Sequence, residues 1–153
     1  MLTRKSITLA AALVTGSVSA GSSYHYDGSY IESIGNRGTS FLTWLDPKND
    51  CEIVHGFWEE ATNEWEEEID VEFKIKVDKL VHWDVDAILI KEWDNNTLMF
   101  EGNSTLLKEL IRGNVLRLKV GSWQEGFSLI GYTRAFSQAY EHCQGKVNQG
   151  EWL

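Results

Sequence analysis

The sequence predicts a mainly β domain with two short helices, built as a β-sandwich or a curved antiparallel sheet, with an α+β arrangement as the alternative. Three observations carry that expectation. Short β-favouring runs between turn formers fill residues 41–101, Ile69 to Asp78 alternates without a fault, and helical spacing occurs only twice after the leader, in both cases late in the chain.

Met1 to Ala20 stands apart from this pattern. Arg4 and Lys5 precede an uncharged run that is too short to span a bilayer, and Val18-Ser19-Ala20 supplies the small side chains that a signal peptidase accepts. Residues 1–20 therefore read as a signal peptide, with a mature chain from Gly21 and a periplasmic or secreted destination. The 133 residues left of 153 are one domain's worth of chain. Apolar residues at 42% exclude a disordered chain, and the single proline, Pro47, argues against extended linkers. Arg4 and Lys5 leave with the leader, so the net charge falls from −9 to −11. That surface disfavours nucleic acid and anionic lipid, and no second long apolar segment offers a membrane span.

Cys51 and Cys143 make an even count, which in an oxidising compartment reads as one disulfide closing most of the domain. His25, His55, His82 and His142 form no paired ligand motif, so no metal or other cofactor is expected. Residue 21 is Gly, so the cysteine needed for lipid attachment is absent at the expected cleavage site.

Gly21 to Ser40, rich in Gly, Ser, Tyr and Asn without a sustained apolar period, reads as a loose N-terminal arm ahead of a single stapled domain over 41–153. Phe41–Leu45 and Cys51–Trp58, split by Asp46-Pro47-Lys48-Asn49-Asp50, predict a hairpin. Ile69, Val71, Phe73, Ile75 and Val77 share one face of the next strand, with Asp70, Glu72, Lys74, Lys76 and Asp78 on the other. Further strands are expected within Val81–Ile90 and over Thr97–Glu101, with a turn at Asp94-Asn95-Asn96. Leu106, Leu107, Leu110 and Ile111 predict a helix over Ser104–Arg112, capped by Ser104 or Thr105 and closed by Gly113. Leu116, Leu118 and Val120 begin a second hairpin that returns at Phe127–Ile130 after Gly121–Gly126. Thr133–His142 closes the domain as a helix with Ala135, Phe136, Ala139 and Tyr140 on its inner face, delivering Cys143 to the core.

Lys76-Val77-Asp78, Trp83, Phe100, Leu106-Leu107-Lys108-Glu109-Leu110, Asn114-Val115-Leu116-Arg117-Leu118 and Phe127-Ser128-Leu129-Ile130-Gly131-Tyr132-Thr133-Arg134-Ala135-Phe136, ending at Cys143, resemble small exported bacterial proteins. Two groups share these elements: the invasion-associated locus B family, and accessory proteins of type VI secretion of the VasI or TagO kind. The second group also has a cysteine pair placed like Cys51 and Cys143. The likeness covers about the last two-thirds of the mature chain. It implies a non-enzymatic exported β-rich domain more firmly than membership of a secretion system. The acidic stretch Trp58 to Asp70 matches neither pattern.

That stretch packs seven carboxylates and two tryptophans into thirteen residues. As a binding loop its candidates are Trp58, Glu64, Trp65, Glu66, Glu67 and Glu68, with charge speeding encounter and tryptophan anchoring the contact. Its bland alternative is a solvated hairpin tip. The EF-hand order of calcium ligands is missing, as are the Gly-x-Ser-x-Gly elbow and a glycine-rich phosphate cradle. The expectation is therefore an exported, non-catalytic binding or accessory protein, engaging another protein and associated with a secretion system if the resemblance holds. An acidic inhibitor or immunity protein of a basic enzyme such as a lysozyme or toxin, and a domain that binds or hydrolyses cell-wall glycan, are the alternatives. The sequons at Asn95 and Asn103 matter only in a eukaryotic secretory route.

Overall fold

A computed structural model describes residues 21–26, 29–60, 70–92 and 95–149, with the side chains of residues 60, 70, 71, 91 and 92 left aside. The leader therefore lies outside the described residues. The elements are β1 Ser22–His25, β2 Tyr30–Ile34, β3 Ser40–Asp46, β4 Glu52–Glu60, β5 Asp70–Val77, β6 Trp83–Glu92, β7 Asn95–Glu101, α1 Ser104–Arg112, β8 Val115–Val120, β9 Trp123–Ser128 and α2 Tyr132–Gln149. All nine strands belong to one antiparallel sheet, ordered β9-β8-β5-β6-β7-β4-β3-β2-β1.

The sheet curls until its two ends touch. Gly35, just past β2, forms a bridge with Phe127 of β9, and Ser22 N donates to Ile130 O at 2.8 Å. The buried carboxylate of Glu125 accepts from Arg37 N and Thr39 N at 2.8 and 3.1 Å, tying β9 to the β2–β3 turn. A side chain at Gly35 has no room there, since a Cβ would lie 2.0 Å from Glu125 Oε2 and 2.7 Å from Phe127 Cε2. Inside the curl, Phe41, Phe57, Phe73, Phe100 and Phe127 pack with Ile75, Leu89, Leu98, Leu116 and Leu118 in one core. Each such burial contributes about 1.5–3 kcal/mol.

The alternation of β5 works as expected where its side chains are described: Phe73, Ile75 and Val77 are buried, while Glu72, Lys74 and Lys76 face solvent. The first hairpin forms between β3 and β4 around a 3-10 turn at Pro47–Asn49, and α1 spans the expected residues. The cysteines are bonded, joining Cys51 to Cys143 across 92 residues. No helix of the described residues is long and apolar enough to cross a membrane.

Five expectations are corrected. Residues 21–40 hold β1 and β2, because pairing with β3 and cover from α2 supply the order that their composition lacks. Asn95 and Asn96 belong to β7, and Asn96 is fully buried, while residues 93–94 lie outside the described residues. The cap of α1 is Asn103, whose side chain accepts from Leu106 N at 2.8 Å. In the second hairpin the return strand starts at Trp123, not Phe127, with Gly121 taking the left-handed turn position at φ 60°. Finally, α2 runs on to Gln149, and its buried face is Tyr132, Ala135, Ala139 and Cys143, with Tyr140 exposed.

Candidate functional site

The acidic stretch is only partly visible. Trp58 sits half-buried on β4, and Glu59 beside it turns inward, where its carboxylate accepts from Asn96 Nδ2 at 3.2 Å. Glu59 is thus removed from the solvated charge run in which the sequence placed it. Glu64, Trp65, Glu66, Glu67 and Glu68 lie outside the described residues.

The structure draws attention to a place that the sequence did not single out, a cleft of about 640 Å³ between β1 and the second half of α2. Strand alternation puts Tyr24 and Tyr26 on the same side of the β1 segment. From α2, Gln138, His142, Lys146 and Gln149 recur at helical spacing and line the opposite wall, with Glu141 and Gly145 beside them. Tyr24 OH is hydrogen-bonded to His142 Nδ1, and the Tyr26 ring stacks on the His142 imidazole at 4.2 Å and 19°. Tyr24 meets Tyr26 edge-on at 6.5 Å. Lys146 Nζ donates to Ser29 Oγ at 3.0 Å, fixing the mouth of the cleft to the β1–β2 turn.

Burial raises the pKa of Tyr24, its bond to Ser29 opposes that, and the nearby Tyr26 adds to it. The phenol therefore keeps its proton in its bond with His142 Nδ1. Immediately after His142, Cys143 anchors α2 to the start of β4 through the disulfide, so the helical wall is held covalently. Gly145 is an open spot in that wall, since among the described residues a Cβ there meets nothing within 4 Å. Glycine inside a helix costs about 0.5–1 kcal/mol relative to alanine, and here no packing constraint requires it. Aromatic faces, an ammonium, a carboxylate and amides around such a volume suit binding by stacking and hydrogen bonds. Among the described residues no three His, Cys, Asp or Glu side chains gather to hold a metal.

A second histidine constellation is sealed. Thr43 Oγ1 bonds both His55 Nδ1 at 2.9 Å and Tyr132 OH at 2.8 Å, and all three residues are buried. Phe41 and Phe100 flank the imidazole, each at 5.5 Å. Among the described residues His55 Nε2 has no hydrogen-bond partner, and a Cβ on Gly102 would lie 3.0 Å from it. Burial alone drives the His55 pKa from 6.5 down to about 3, and burial also raises that of Tyr132, so both stay neutral. This cluster holds β3, β4 and α2 together and offers no route for a substrate.

Compared with family models, with curated proteins and with solved structures, the chain matches none.

Proposed function

We propose that this chain is an exported, non-catalytic accessory protein that engages another protein through the β1–α2 cleft. The observation that carries the reading is Tyr26, a residue 66% exposed whose ring is nevertheless stacked on His142 beside the hydrogen-bonded Tyr24. Apolar rings held rigidly at a surface are the usual anchors of recognition, because little side-chain freedom is lost on binding. The leader-like residues 1–20 and the single disulfide support export. The resemblance of the C-terminal motifs to secretion-associated proteins supports the accessory role.

The test is affinity capture from an extract of exported proteins, followed by a binding measurement with each captured partner. Tyr26→Ala removes the anchor and Gly145→Leu fills the cleft while favouring the helix. Each is expected to weaken capture roughly tenfold or more, with unfolding transitions unchanged or raised. Partners captured equally well by both variants would refute the cleft. The same exposed ring among polar groups also favours a second reading, capture of cell-wall glycan, for which soluble glycan fragments titrated into the protein are expected to quench Tyr26-dependent fluorescence.

A further inference from the structure

We infer that the turn joining β5 to β6, with the cations around it, seats this chain on the surface of an anionic lipid bilayer, independently of the cleft. The turn has an apolar tip in solvent. Val81 is 83% exposed, more than any other large apolar residue among those described, and Leu80 beside it is 48% exposed. Ile130, at 71%, stands on the same rim, because Asp78 N donates to Val115 O and Leu129 N to Asn114 O, which sets the turn, the start of β8 and the end of β9 side by side. Cations surround the tip. Lys79 lies in the turn, and on the strands behind it Lys76 faces Arg117 and, two residues back, Lys74 faces Lys119. All five are exposed, and none has an ion-pair partner among the described residues. Like charges directly opposite one another destabilise a sheet, a cost that an anionic surface laid over them would offset.

The carboxylates nearby are held back from the tip. Asp78, in the turn itself, is spent on the backbone N–H groups of Asn114 and Val115, each at 3.0 Å. Asp84 stands level with Lys74 and beside His82, and Glu72 and Asp86 face each other four residues behind Lys76, about 14 Å along the strand and more than one screening length away. The net negative charge of the chain, which disfavours anionic lipid for the molecule as a whole, is thus reversed on this rim. Two observations favour a bilayer over a soluble anion. Exposed Leu80, Val81 and Ile130 give a free anion nothing to bind, whereas apolar side chains flanked by cations suit the boundary between headgroups and acyl chains. Residues 1–20, with their uncharged run, also join the domain on this rim, since Ser22 N donates to Ile130 O at 2.8 Å, so an export leader would bring this side of the domain to the membrane.

The experiment is co-sedimentation of the exported chain with vesicles of equal parts phosphatidylcholine and phosphatidylglycerol, set against vesicles of phosphatidylcholine alone. Binding to the anionic vesicles is expected to be at least roughly tenfold tighter and to weaken as salt rises. Lys76→Gln with Arg117→Gln removes one opposed pair of like charges, so this variant is expected to fold at least as well as the parent while binding the anionic vesicles roughly tenfold or more weakly. Leu80→Ser with Val81→Ser removes the tip from solvent-facing positions and is expected to weaken binding by a similar factor with an unchanged unfolding transition. Tyr26→Ala, in the cleft, is expected to bind vesicles as the parent does. No measurable binding to the anionic vesicles overturns the inference, and so does equal binding to both kinds. A parent-like affinity in either double variant overturns it too, because residues 1–20 or the rest of the surface would then carry the binding. Displacement by inorganic phosphate beyond that by chloride at equal ionic strength would show a site for a free anion and overturn the bilayer as occupant.

Discussion

His55 and His142 are held by the same chemistry and serve opposite ends. Each bonds a hydroxyl through Nδ1, Thr43 for one and Tyr24 for the other, and each lies against an aromatic face. What separates them is the glycine nearby. Gly102 brings its backbone against His55 Nε2 and shuts the site, whereas Gly145 leaves open space in the wall beside His142. One histidine therefore organises the core, and the other lines a cleft that a ligand is free to enter. Hydrogen-bond partners alone do not distinguish a structural histidine from a recognition residue; access does.

The largest expected effect breaks this pair apart. His55→Ala empties a site between Phe41 and Phe100 and strips Thr43 of one of its two partners, so a loss of about 3–5 kcal/mol is expected in urea unfolding. His142→Ala is expected to cost about 1 kcal/mol or less, since its ring stands partly in solvent, while abolishing cleft binding. Similar stability losses for the two variants would show that the cleft histidine is as structural as the core one.

The sealed half of the comparison was more legible than the open half. Clean alternation in Phe73, Ile75 and Val77 and the cysteine count led directly to β5 and the Cys51–Cys143 bond, because both are local or countable signals. The cleft has no such signal. Tyr24 and His142 are 118 residues apart, and β1 is a four-residue strand of Ser, Tyr and His that is ordered by its neighbours. The end of α2 was hidden too: polar residues and Gly145 after His142 look like a stop, although the helix continues to Gln149. Glu125 gave no warning of burial, because the backbone N–H groups that donate to it there, Arg37 and Thr39, come from a distant turn. The acidic run, the most conspicuous polar feature of the sequence, contributes one inward carboxylate, Glu59, and otherwise lies outside the described residues.

The disulfide links the two histidine regions, since Cys143 follows His142 and Cys51 leads into the strand of His55. Cys143→Ser is expected to cost about 2–5 kcal/mol, because the closed loop spans most of the domain. Calorimetry checks this, and a melting temperature unchanged by reduction would contradict it.

Acidity should separate the histidines next. The folded-state pKa of His55 is depressed from 6.5 to about 3, so between those values the unfolded chain binds a proton that the native core refuses. Its contribution is intact above pH 6.5 and is lost as pH falls, by about 1.4 kcal/mol per pH unit through that window. Stability measured by urea unfolding across this range should therefore fall with acid, and the slope should be shallower in His55→Ala. Identical slopes in parent and variant would remove His55 as the source.

The smallest effect sharpens the open half. Tyr24→Phe deletes one hydroxyl and keeps the ring, so it removes the bond to His142 while leaving the packing of β1 on α2. Because the pair is only partly buried, water replaces the lost partner, and the expected cost is about 0.5–1.5 kcal/mol. The functional consequence should exceed the structural one. Without the phenol, the His142 ring loses the bond that fixes the plane in which Tyr26 stacks, so the preorganised wall of the cleft loosens. Binding of a captured partner should therefore weaken by more than the loss in stability would suggest, and a crystal structure of the variant should show the His142 ring rotated. If partner affinity is unchanged while stability falls by about 1 kcal/mol, the Tyr24–His142 bond belongs with His55 as a fastening of the fold, and Tyr26 alone carries recognition.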